Sequence, residues 1–186
     1  MPRNSRNSER TREKILKAAG DVLVIGGVRG FGVNAISALS GYGKPLVYRY
    51  FGERGAVLNA LVDFKVAKVA SVLADQVPPQ ESQIPANVYR QVMFARVLAG
   101  DAVLRALFRA LLSDELGSTA ARALDGLVPF SGASGDAGAA EAFLLGGISY
   151  VLLLRDSQDE CAGVSIKTPM DMATFERAFV ALSSKI

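Results

Sequence analysis

The chain contains no histidine and a single cysteine, Cys161. Without histidine, a Ser-His or Cys-His nucleophile cannot form, and neither can a zinc site of mixed cysteine and histidine ligands. One cysteine excludes an internal disulfide, which suits a reducing cytoplasm. No paired carboxylates and no phosphate-cradling glycine loop stand out, so no catalytic residue, metal or cofactor is expected; an enzyme relying on Lys, Tyr or Asp is the least favoured reading. Uninterrupted apolar runs of membrane-spanning length are also missing. The longest approach to one, Ala137 to Leu154, carries Glu141 and Ser149 and is rich in glycine. The polar, arginine-bearing N-terminus lacks the apolar centre of a secretory signal. No internal repeat is evident.

What is present is apolar substance and an uneven charge. Half of the residues are hydrophobic, enough for a packed core. Residues 1–68 hold 12 Lys and Arg against 5 Asp and Glu, a net +7, whereas residues 69–186 carry a net −4. A basic first third on an acidic remainder points to a polyanionic partner for that first third, or to a basic arm that is merely solvated.

The periodicity is helical almost throughout, which predicts an all-α chain of about nine helices. Ile15, Leu16, Ala19, Val22 and Leu23 share one face of a first helix over about residues 9–25, with Ser8 or Thr11 as its cap and Gly26-Gly27 as its stop. A short second helix (33–40) turns Val33, Ile36 and Leu39 inward. A short third (44–51) has Val47, Tyr50 and Phe51 as inward groups. Gly41-Tyr42-Gly43 joins them, and two such helices around a glycine turn have the dimensions of a helix-turn-helix. A long fourth helix (54–77) ends at Pro78-Pro79. Beyond the polar seam Pro78–Pro85, helical pattern resumes over 86–99, 101–116, 120–127, 139–155 and 170–184. Thr168-Pro169 supplies the cap and first residue of the last helix.

A helix reads DNA by presenting its N-terminal residues to base edges in the major groove while its neighbours hold phosphates. On the third helix those residues are Lys44, Pro45 and Leu46, followed on the exposed side by Tyr48 and Arg49. Lys44 reaches a phosphate or a guanine, and Leu46 a thymine methyl. Asn34 and Arg54 sit where helix starts expose N–H groups to a phosphate. The arm residues Arg3, Arg6 and Arg10 are placed to follow the backbone or enter the minor groove. Singly, Lys44 and Arg49 read as ordinary solvated charges; their joint position on one short helix after a glycine turn raises them above that.

These residues carry a resemblance to the tetracycline-repressor (TetR) family of bacterial transcriptional regulators. Arg12-Glu13-Lys14-Ile15-Leu16-Lys17-Ala18-Ala19 resembles the family's first helix, and Gly30-Phe31 with Val33 and Ile36 the approach to its second. Gly41, Lys44, Tyr48, Tyr50 and Phe51 match its turn and recognition helix. The likeness spans residues 10–60. Four positions depart from the family pattern. Gly32 stands where a Thr cap is common, and Gly43 where a Ser or Asp caps the recognition helix. Ser40 replaces a common Ala, and Gly55 a common acidic residue.

The resemblance implies a DNA-binding domain over residues 1–54 and a helical effector-binding and dimerisation domain over 55–186. The implied function is a ligand-responsive repressor that binds a palindromic double-stranded operator as a homodimer, away from any membrane. A helical interaction module with a vestigial DNA head is the alternative. The expected dimer face draws on Phe143, Gly146, Gly147 and Tyr150 of one helix and Met172, Phe175, Phe179 and Leu182 of the last. Met93, Phe94, Phe108, Leu112, Phe143 and Tyr150 are the residues expected to line a pocket for a largely apolar effector, with ordinary core as the competing role. Arg105 and Arg109, one turn apart, offer a site for an anion or a solvated face.

Overall fold

A computed structural model describes residues 3–80 and 84–183, the side chains of residues 3–6 and 169 excepted. It is all-α apart from one small hairpin, with nine α-helices among the described residues. These are α1 (Arg3–Gly30), α2 (Val33–Ser40), α3 (Lys44–Phe51), α4 (Arg54–Ala74), α5 (Ala86–Gly100), α6 (Ala102–Leu112), α7 (Ser118–Asp125), α8 (Gly135–Leu154) and α9 (Pro169–Ser183). The chain divides into two compact units that do not follow chain order: residues 1–67 with 106–124, and residues 68–105 with 125–186.

In the first unit α1 packs on α2, and α2 on α3. The shared core holds Ile15, Ala19, Leu23, Ile36 and Val47, all with at most 1% of their surface exposed. Two helices of eight residues are marginal alone, so this burial fixes them. The first helix starts earlier than its pattern predicts, and Thr11 is no cap: its hydroxyl donates to the Asn7 carbonyl one turn back, at 2.9 Å. The stop expected at Gly26-Gly27 is a kink. Gly27 takes φ 59°, ψ −168°, a conformation open essentially to glycine alone, and the helix then resumes to Gly30. Leu39, expected inward, is half exposed. The bounds of α2 and α3 coincide with their predicted ones.

In the second unit α5, α8 and α9 pack on one another. Leu98, Leu145, Leu152 and Phe179 are buried there. Arg96 of α5 clamps Glu176 of α9 through two hydrogen bonds of 2.9 and 2.8 Å. That pairing raises the Arg96 pKa above its ordinary value. Arg105 is no anion receptor: its buried guanidinium donates to Asp156 at 2.6–3.1 Å and to the Leu98 and Ala99 carbonyls. By length and composition α8 is apolar enough to cross a membrane. Its Glu141, however, accepts hydrogen bonds from Gln91 and Ser131, and its Leu145, Ile148 and Leu152 lie in the core of this unit.

The last helix begins as its sequence predicts. The Thr168 hydroxyl accepts from the Asp171 N–H at 3.2 Å, and the Asp171 carboxylate accepts from the Thr168 N–H at 2.7 Å, a reciprocal capping box. The hairpin before it pairs Glu160 with Ser165 and Cys161 with Val164, and was not anticipated. Its two turn residues, Ala162 and Gly163, both take positive φ, as a tight two-residue hairpin requires.

Candidate nucleic-acid interface

The turn between α2 and α3 is held from within. Gly41 closes α2 at φ 72°, the left-handed position glycine adopts without strain. The Ser37 hydroxyl donates to the Tyr42 carbonyl at 2.7 Å, and the Tyr42 N–H donates to the Ser40 hydroxyl at 3.3 Å. Ser40, one of the departures from the family pattern, thus takes a direct part in fixing the turn.

Helix α3 then presents its first residues outward. Gly43 is its N-cap and makes no side-chain capping bond, while Pro45 sits in the first turn, where its missing N–H costs nothing. Lys44 and Pro45 are exposed, and Leu46 is half-buried. Tyr48 is 51% exposed, Arg49 is exposed, and Val47 between them is completely buried. One face of a two-turn helix is thereby anchored and the other bared. Tyr50 and Phe51 are half-buried, in between core and contact surface. Tyr50 donates its hydroxyl to Ser8 at 3.2 Å and lies beneath the Arg49 guanidinium, 5.5 Å from the ring centre. Arg12 of α1 covers Phe51 at 5.1 Å. Both cations are held over aromatic faces, a geometry that orients them while leaving their N–H donors for other partners.

The exposed Asn34 of α2 shares a concavity of about 310 Å³ with Tyr48 and Arg54, and Glu53 lines it too. Arg54 has a structural task there. Its Nε donates to the Phe31 carbonyl at 2.7 Å and one Nη to the Val28 carbonyl, tying the start of α4 to the α1–α2 connection. Three of its five N–H donors remain for a phosphate. Arg3 and Arg6 lie outside the residues whose side chains are described. A second shelf was only partly recognised in the sequence: Arg10, expected there as an arm residue, shares with Lys14, Lys17, Glu13 and Tyr42 a concavity of about 390 Å³. The signal was present, since spacings of four and three place these cations on one helical face.

The residues expected at an effector pocket differ in exposure. Met93, Phe94 and Phe108 are buried core, whereas Leu112, Phe143 and Tyr150 are exposed at 73%, 83% and 59%. The residues expected at a dimer face divide as well. Phe143, Gly146, Gly147 and Tyr150 are all exposed, spaced three, four and seven apart on one face of α8. On α9, Met172 and Phe179 are buried within their own chain, Phe175 is half-buried and Leu182 is 49% exposed.

The family model of bacterial regulatory proteins of the tetR family matches residues 15–61, which are α1 from its first core residue through the start of α4. Two solved structures share the fold of the chain. The fatty acid degradation regulator FadR from Bacillus halodurans is 18% identical, with a TM-score of 0.60 over 91% of this chain and 94% of that one. GusR of Salmonella enterica is 16% identical, with a TM-score of 0.60 over 94% and 96%. No curated protein matches the sequence.

Proposed function

Since the chain belongs, by its N-terminal domain, to the tetR family of bacterial regulatory proteins, we propose that it is a ligand-responsive transcriptional repressor that binds a palindromic operator as a homodimer. The observation that carries this reading is the half-bared helix α3. Val47 is completely buried, while Lys44, Pro45, Tyr48 and Arg49 stand outward beside it. A short helix fixed in this way keeps its reading face in register with the rest of the domain.

In this proposal Lys44 and Arg49 contact phosphates or guanine edges, Leu46 meets a thymine methyl, and Pro45 and Tyr48 pack against the groove. Asn34, Arg54 and the arm residues Arg3 and Arg6 hold the backbone, joined by the Arg10, Lys14 and Lys17 shelf. The exposed face of α8 pairs with its copy, so that two α3 helices meet half-sites ~34–36 Å apart. An effector bound within residues 55–186 moves α4 and changes that spacing, and its differential affinity for the two arrangements sets the response. The work of such a repressor is on chromosomal DNA in the cytoplasm.

A mobility-shift assay on DNA from upstream of the gene tests the proposal. A discrete, sequence-dependent complex is expected for the full chain. The double substitution Lys44→Ala and Tyr48→Ala should lower affinity by about two orders of magnitude, two lost contacts at ~1–3 kcal/mol each. Sequence-specific binding that survives the double substitution unchanged eliminates the assigned contacts.

A further inference from the structure

A cavity of about 170 Å³ opens between α5, the segment after Pro129 and the first half of α8. Its walls are mixed. Val88, Ala137 and Leu144 supply apolar surface, and Asn87, Gln91, Ser131, Glu141 and Ser183 supply polar atoms. One wall carries the half-buried carboxylate of Glu141. Oε1 accepts from the Gln91 amide and from the Ser131 N–H at 2.8 Å, and Oε2 accepts from the Ser131 hydroxyl at 2.6 Å.

Each of these donors is neutral. Arg96–Glu176, Arg105–Asp156 and Lys167–Asp159 are ion pairs of this unit that lie elsewhere, and among the described residues no Lys or Arg lines the cavity. A half-buried carboxylate with no counter-cation among the described residues attracts one, because partial burial lowers the effective dielectric around it.

We infer that this cavity binds a small protonated amine with a short apolar body, its ammonium group paired with Glu141 and hydrogen-bonded to Asn87. The three donors of a primary ammonium match the two carboxylate oxygens and the amide oxygen of Asn87. The volume sets the size, since a cavity of roughly 150 Å³ accommodates a benzene ring, about six to eight non-hydrogen atoms. The apolar walls take the carbon body. An anion is disfavoured by the same uncompensated charge. Within the repressor reading, on which its regulatory meaning rests, this amine is the effector. An ammonium drawing on Oε2 competes with the Ser131 hydroxyl that now occupies it.

The test is isothermal titration of the full chain with n-butylamine and 1,4-diaminobutane, with butyrate and 1-butanol as controls of matched size. Saturable binding of one amine per chain is expected, with neither control binding. Glu141→Gln keeps an acceptor for Ser131 but removes the charge, and should weaken amine binding about tenfold or more. Leu144→Trp, which fills the cavity and leaves the charge, should abolish it. If Glu141→Gln fails to fold, Asn87→Asp takes its place: a second carboxylate on the cavity wall should tighten binding severalfold, and binding that does not tighten overturns the inference. No amine binding to the folded chain overturns the inference. Amine binding undiminished by Glu141→Gln or Leu144→Trp, or butyrate binding as tightly, does so too. If the amines bind as expected but leave operator affinity unchanged in the mobility-shift assay, the site stands and the ligand-responsive reading falls.

Discussion

Arg54 shows how one side chain serves two readings. Its position opening α4 made it a phosphate ligand on sequence grounds, and its guanidinium is spent in part on the Phe31 and Val28 carbonyls. The two roles separate through Arg54→Lys, which keeps the cation but loses the planar fork that reaches both carbonyls. If the clasp is the main task, the variant loses about 1–2 kcal/mol in urea unfolding, two charge-assisted bonds discounted for exposure, while the salt dependence of DNA binding is unchanged. Unchanged unfolding with DNA affinity lowered severalfold would instead identify Arg54 as mainly a phosphate ligand. Sequence could place Arg54 at a helix start; it could not show that two carbonyls, 23 and 26 residues earlier, would be aimed at it. Leu39 failed for a related reason. Its spacing fits an inward face, but an eight-residue helix offers only two positions, Val33 and Ile36, that the neighbouring helices cover.

Elements were legible where their ends are written in local chemistry. Glycines at both ends of α2 and α3, and Pro45 in the first turn, left little freedom in the bounds of those helices. The start of α9 was legible through Thr168 and Pro169, and the structure adds Asp171 as the second half of the box. The hairpin was invisible because its strands have two residues each and its turn, Ala162-Gly163, lacks the Asn-Gly or Asp-Gly signal. The capping box carries a pH dependence whose sign is fixed. The Asp171 pKa lies below its ordinary 3.8, chiefly because its carboxylate accepts the Thr168 N–H, with further bonds from the Ser165 and Thr168 side chains. A depressed folded-state pKa means that the contribution is fully present above the ordinary value and is lost as pH falls through the folded one. Titration followed by NMR should therefore show Asp171 protonating below pH 3.8, with the first turn of α9 losing amide-exchange protection over the same range. In Asp171→Asn the protection should no longer vary there. An Asp171 titrating at its ordinary value would remove the capping box as the cause.

At the scale of the whole molecule, the dimer face expected from the sequence draws on α8 and α9 together. The structure divides α8. Leu145, Ile148 and Leu152 face the core of the unit, and Phe143, Gly146, Gly147 and Tyr150 form a separate exposed stripe. An 83% exposed phenylalanine beside two glycines is costly to leave in water, and the glycines let a second helix approach closely. The buried Met172 and Phe179 are already used within the chain, so α8 supplies the larger share of any self-association surface, with Leu182 at its margin. A palindromic operator requires two reading heads, so dimerisation and DNA affinity should fail together. Phe143→Asp with Tyr150→Asp places like charges against their own copies in a two-fold interface, since such an interface meets itself. Sedimentation analysis should give a dimer for the native chain and a folded monomer for the double variant, whose far-ultraviolet circular dichroism is unchanged because both positions are exposed. Operator affinity should then drop by at least about tenfold, because each half-site is held alone. A native chain that sediments as a monomer, or a double variant that remains dimeric, would move the interface off α8. A monomeric variant that binds the operator as tightly as the native chain would instead break the link between the palindrome and the pair of α3 helices.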